Sequence, residues 1–135
     1  ALNLAFLGAY MDNQVKLYKN LIHWPDGVFI KNINIFIKKI PGREILTKIK
    51  MPRDIKKISV LGSLPDKSKK FLEFKYRRRI NHIDLPYGNI DKITKNFKYK
   101  IKKNEFIFIT LPTPKQEQLA EYLVSKNKNY KISYH

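Results

Sequence analysis

In the second half of the chain, apolar residues fall in short runs separated by turn signals, a spacing that predicts strands alternating with helices. Residues 57–62 (KISVLG) form a run suited to a buried strand. A loop follows, then a helix opened by Pro65-Asp66 and running to about Arg77. Ile80 to Leu85 predicts a second strand, stopped by Pro86-Tyr87-Gly88, with a helix near 89–98 behind it. Glu105 to Leu111 predicts a third strand, 114–126 (PKQEQLAEYLVSK) a helix, and Tyr130 to Tyr134 a last strand. Such alternation implies parallel β-α units: an α/β, Rossmann-like layered fold whose mostly parallel sheet is flanked by helices. Sheets of this kind bind ligands in the crevice at the carboxyl ends of their strands.

The first half is less regular. Residues 2–20 predict a helix with Leu4, Leu7 and Tyr10 or Met11 on one side and a break near Asp12. The apolar run Leu21 to Trp24 meets the turn Pro25-Asp26-Gly27. Residues 28–40 fit two periods, since Ile30, Ile33, Ile37 and Ile40 make a helical stripe while Ile33, Ile35 and Ile37 alternate as a strand would. Pro41-Gly42 closes that segment, and REILTKIK predicts a short helix.

A length of 135 residues points to one domain. At that size roughly 65–70% of the unfolded chain's surface is buried, enough for a core. Cysteine is absent, which removes disulfides, thiolate metal sites and cysteine nucleophiles. His23, His82 and His135 lie far apart without ligand spacing, so neither a metal nor another cofactor is expected. No run of roughly 18 apolar residues occurs, and the opening ALNLAFLGAY has neither the basic start nor the cleavage motif of a signal peptide.

The net charge of +17 suggests a polyanionic partner. Yet Lys, Ile and Asn supply 52 of the 135 residues, the bias of an A/T-rich coding sequence, and Lys outnumbers Arg 23 to 5. Phosphate and base recognition favours the Arg fork, so much of the charge reads as a solvated surface.

Three strand-to-helix junctions can carry chemistry. Asp26, on the Pro25-Asp26-Gly27 turn, suits a general base, although Pro-Asp-Gly also makes an ordinary turn with Asp as a helix cap. Gly62-Ser63 would let a phosphate or nucleobase approach the backbone ahead of a helix N-terminus, although one glycine is a weak signal. Thr113 to Gln116 satisfies a capping box with Pro114 at the first helical position. Gln116 precedes Leu119 and Ala120 by three and four residues, which turns its amide inward, and Lys115 beside it can meet a phosphate. The stretch Lys67 to Arg79 (KSKKFLEFKYRRR) predicts an amphipathic helix with Phe71, Phe74 and Tyr76 inward; its arginine end either complements the helix dipole or faces an anion.

The blocks WPDGVFIK, IPGREIL, ISVLGS and TLPTPKQEQL resemble, in order, those of the WecG/TagA/CpsF glycosyltransferase family, over nearly the whole chain. The resemblance implies a Rossmann-like enzyme working without a metal. It would move N-acetylmannosamine or its uronic acid from a UDP-sugar to a polyprenyl-diphosphate-linked N-acetylglucosamine, for surface polysaccharides, in the cytoplasm at the inner face of the membrane. It assigns Asp26 as catalytic base and Gln116, with Glu117 beside it, to the substrate pocket. Asn3 and Gly27 fall in or ahead of its first block, and Lys39 and Arg43 flank the second, where an arginine is common. With Gly62, Ser63 and Lys115 these make the expected substrate contacts. Family domains are longer, so the resemblance further implies a domain cut short before another strand, a glycine-rich block and a membrane-contacting appendage. Two other readings stand beside it: a basic nucleic-acid-binding module, motivated by charge alone, and a non-catalytic remnant of the family. Specific nucleic-acid binding is not expected, and self-association is left open.

Overall fold

A computed structural model of the chain describes residues 4–16, 41, 44, 47–126 and the backbone of 131–134. Its contacts divide the chain into two compact units, residues 1–50 and 51–135.

In the first unit, α1 (Leu4–Met11) is an uncharged helix that buries Phe6 and Ala9 together with Val15 from beyond its end. The core stripe is therefore Phe6–Ala9 and not the expected Leu4, Leu7 and Tyr10 or Met11, of which Leu4, Tyr10 and Met11 are exposed. The helix stops at Met11 because Asn13 adopts a left-handed φ of 56°. Asn13 N–H then donates to Tyr10 O (3.1 Å) and Gln14 N–H to Ala9 O (2.8 Å), a Schellman closure with Asn in the usual glycine place. Helical backbone recurs at Glu44 and at Thr47 and Lys48, within the short helix expected after Pro41. The ambiguous segment 28–40 lies outside the described residues.

The second unit is the expected α/β layered fold. Its elements run β1 (Lys57–Gly62), α2 (Asp66–Tyr76), β2 (Ile80–Ile83), α3 (Ile90–Lys95), β3 (Glu105–Thr110), α4 (Lys115–Lys126) and β4 (Lys131–Tyr134). The sheet has the order β2-β1-β3-β4, with every pair parallel. Register sets Ile58 against Ile80 and Phe106, Val60 against His82 and Phe108, and Gly62 against Thr110.

Alternation along the strands then sorts side chains to two faces. On one face Leu61, Ile107 and Ile109 pack with Ile93 of α3 and Leu119, Ala120 and Leu123 of α4. On the other, Tyr76 of α2 stacks on Phe108 at 6.3 Å between ring centroids. Burial there raises the Tyr76 hydroxyl above the usual phenol range. Helices on both faces explain why β1 is buried from Ile58 to Gly62, since neither side meets water.

The facing of α2 corrects the sequence expectation. Leu72 is buried, whereas Phe71 and Phe74 are exposed. Both stripes satisfy helical spacing, and the sheet takes the one containing Leu72 and Tyr76.

At the amino ends of the strands lies a buried polar cluster. Glu105, fully buried at the start of β3, accepts from the hydroxyls of Ser59 and Tyr99 (the latter 2.6 Å) and from Lys102 N–H (2.7 Å). Asn81 donates to Ser59 Oγ at 3.0 Å, and Lys57 Nζ to Tyr99 at 2.6 Å. The bonds of Tyr99 and Lys102 tie the segment 96–104 to the sheet, so the cluster acts as a latch on the edge opposite the candidate site.

Candidate functional site

In the order β2-β1-β3-β4 the chain leaves β1 toward one edge of the sheet and leaves β3 toward the other. A crevice opens at such a reversal, outside the carboxyl ends of the two strands. Gly62 ends β1 and Thr110 ends β3, paired in register, so the two loops singled out from sequence leave the sheet side by side.

The first loop is held from two directions. Gly62 has φ +109°, and a Cβ there would come within 2.8 Å of Thr110 Oγ1 and 2.9 Å of Thr110 O. Only glycine supplies both the conformation and the clearance. Thr110 Oγ1 lies 2.7 Å from Ser63 O and donates to it. From β2, His82 Nε2 donates to Gly62 O at 2.7 Å and lies 3.2 Å from Asp84 Oδ1. That contact requires the tautomer with hydrogen on Nε2 when the ring is neutral. Ser63 itself is exposed and carries its hydroxyl at the rim.

The second loop passes through a cis Thr113–Pro114 bond into α4. The capping-box expectation resolves differently in detail, into a knot of three side chains. Thr113 Oγ1 donates to Glu117 Oε1 (3.1 Å) and accepts from Gln116 Nε2 (3.1 Å), and Gln116 Nε2 also donates to Glu117 Oε1 (2.8 Å). Gln116 and Glu117 are each only 4% exposed, which agrees with the inward amide expected from the spacing to Leu119 and Ala120. A carboxylate in the first turn also complements the helix dipole.

Two acceptors in this knot are unmatched. Gln116 Oε1 and Glu117 Oε2 are buried and have no hydrogen-bond partner. A buried acceptor left unmade costs about 1–3 kcal/mol, so the arrangement is one that a ligand donating N–H or O–H groups would relieve. A phosphate, which only accepts, would not. A cation suited to phosphate stands at the same helix start: Lys115, half-buried, with Nζ 5.7 Å from the centroid of the exposed Tyr87 ring. That contact brings the β2–α3 loop to the same edge. Asn89 shapes this loop by capping α3, its Oδ1 accepting from Lys92 N–H at 3.0 Å.

Of the residues expected from sequence, Gly62, Ser63, Lys115, Gln116 and Glu117 thus sit at two adjacent strand-to-helix junctions at the carboxyl edge of the sheet. Asn3, Asp26, Gly27, Lys39 and Arg43 lie outside the described residues. His82 and Tyr87 were not expected there. His82 could have been found from strand parity, since it shares a face with Gly62 once β2 is set beside β1. Among the described residues no group of three His, Cys, Asp or Glu could hold a metal ion, and no helix is long and apolar enough to cross a membrane.

Fold and edge together define an α/β parallel-sheet protein whose strand order reverses between β1 and β3, the place where such sheets bind ligands. No family model, curated protein or solved structure matches the chain.

Proposed function

We propose that the chain is a glycosyltransferase that takes a UDP-activated N-acetylhexosamine as donor and a polyprenyl-diphosphate-linked N-acetylglucosamine as acceptor. The observation that carries this reading is the pair of buried, unmatched acceptors, Gln116 Oε1 and Glu117 Oε2, at the strand-order reversal. Acceptors held ready suit a ligand rich in donors, and a nucleotide sugar offers sugar and ribose hydroxyls and the uracil N–H. Its diphosphate needs the opposite, which Lys115 and the backbone after Gly62 can supply. The order of the PDG and PKQE blocks along the chain supports the same reading by resemblance.

In this proposal Asp26 accepts the proton of the acceptor hydroxyl. That oxygen bonds to the anomeric carbon as the bond from carbon to the diphosphate oxygen breaks, and UDP leaves with the electron pair, inverting the configuration. Donor and acceptor chemistry put the work at the cytoplasmic face of the membrane.

The test is thermal unfolding with UDP and UDP-N-acetylhexosamines. A ligand at 100 times its Kd adds about 2.7 kcal/mol, a shift of several degrees. The sugar nucleotide should shift the transition more than UDP alone, because the unmatched acceptors take hydroxyls. Absence of any shift at millimolar ligand with folded protein overturns the proposal. Donor-dependent transfer to a lipid-linked acceptor, lost in Asp26→Asn without loss of donor binding, tests the base.

A further inference from the structure

We propose that the outward face of α2 is a docking surface for an anionic lipid bilayer, with Phe74 and Phe71 as the inserting side chains. Lys67, Lys70, Phe71 and Phe74 are spaced i, i+3, i+4 and i+7, which sets them on one face of the helix. That face points away from the sheet, since Leu72 is buried and Tyr76 stacks on Phe108 from the opposite side. Phe74 is 86% exposed and Phe71 45% exposed.

Two aromatic rings presented to water on one short helix are an unfavourable surface unless something covers them. What surrounds them identifies the cover. Lys67 and Lys70 are exposed beside the rings, and Arg77 and Arg79 are exposed where the helix ends. Arg78 is not part of this set, because its guanidinium donates to Ile55 O. Of the two acidic residues on α2, Glu73 is turned toward the sheet, accepting from Ile80 N–H at 3.1 Å, which leaves Asp66 as the one exposed acid. Exposed aromatics ringed by cations on a convex helix match the interface of an anionic leaflet: rings enter the acyl boundary and cations stay with the headgroups. A single nucleic-acid strand asks for aromatics lining a groove that tracks its backbone, and a convex helix face is not one. The surface stands on α2 alone, so it can fail while the nucleotide-sugar reading holds, and the reverse.

The experiment is co-sedimentation of the full chain with phosphatidylcholine vesicles and with equimolar phosphatidylcholine/phosphatidylglycerol vesicles. A charge of +17 would draw any such chain to anionic lipid, so the deciding readouts concern the rings. Phe71→Ser combined with Phe74→Ser should lower the partition coefficient on anionic vesicles roughly a hundredfold, because each ring's burial contributes a factor of about ten. Val124→Ser, an exposed apolar position on α4, should leave it unchanged. The chain has no cysteine, so Phe74→Cys gives a unique site for an environment-sensitive dye, whose emission should shift to the blue on anionic vesicles. Urea unfolding of the serine variant should match the parent. Partition unaffected by loss of both rings, equal binding to neutral vesicles, or a dye that stays in water overturns the proposal. Self-association or single-stranded RNA binding that depends on the rings, without vesicle insertion, assigns the face elsewhere and overturns it as well.

Discussion

Replacing Gly62 by alanine tests whether the β1 and β3 loops are held as tightly as their geometry states. Two separate penalties apply. At φ +109° an L-residue occupies a conformation that costs about 1–3 kcal/mol. The new Cβ would also meet Thr110 Oγ1 at 2.8 Å and Thr110 O at 2.9 Å, and such overpacking costs about 1–3 kcal/mol. The total, about 2–6 kcal/mol, is a large part of the 5–15 kcal/mol typical of a whole domain. Urea unfolding followed by circular dichroism should show a lower midpoint with an unchanged slope. A second substitution separates the two causes. Thr110→Ala removes the hydroxyl contact but leaves the carbonyl contact and the backbone strain, so it should return only about 1 kcal/mol in the Gly62→Ala background. A Gly62→Ala variant within about 0.5 kcal/mol of the parent, or full rescue by Thr110→Ala, would refute the geometry.

How far the sequence disclosed all this depends on whether a signal is local. β1, β3 and α4 were legible because an apolar run ending at Gly62 or Pro112 carries its own boundaries. The inward amide of Gln116 was legible too, since three- and four-residue spacing to Leu119 and Ala120 is a property of one helix. The facing of α2 was not. Phe71 and Phe74 outweigh Leu72 in apolar area, and only a sheet already in place, with Phe108 waiting for Tyr76, selects the other stripe. The Glu105 cluster was invisible for the same reason: Ser59 and Glu105 lie 46 positions apart and meet because β1 and β3 pair in parallel. His82 looked isolated when judged by spacing to other histidines, yet its partner is a backbone carbonyl 20 residues away.

Tyr76→Phe should leave stability at pH 7 nearly unchanged and remove part of the alkaline loss. Burial raises the folded-state value of the hydroxyl, so its contribution holds below pH 10 and fades as pH rises through that raised value; equal alkaline loss in both proteins would count against it. Glu105→Gln should lower stability by about 2–3 kcal/mol in urea, because an amide cannot accept all the bonds that Ser59, Tyr99 and Lys102 donate. The cost stays below that of a fully buried ion pair, since Lys57, 3.8 Å away and 34% exposed, can turn to water; a change under about 0.5 kcal/mol would show that the latch contributes nothing. Gln116→Met concerns the conflict between stability and binding at the crevice. Methionine removes the unmatched Oε1, at similar side-chain size, but it also removes the two bonds that Nε2 donates to Thr113 and Glu117. One relieved acceptor and two lost donations, each bond worth about 1 kcal/mol net, leave the free protein within about 1 kcal/mol of the parent. The proposed complex has no such offset, because the acceptor that the proposal assigns to the ligand's hydroxyl or N–H is gone. Thermal stabilisation by a UDP-sugar should therefore fall by at least half while the ligand-free transition hardly moves. If stabilisation survives intact, Gln116 is a structural residue of α4 and the crevice takes its ligand elsewhere.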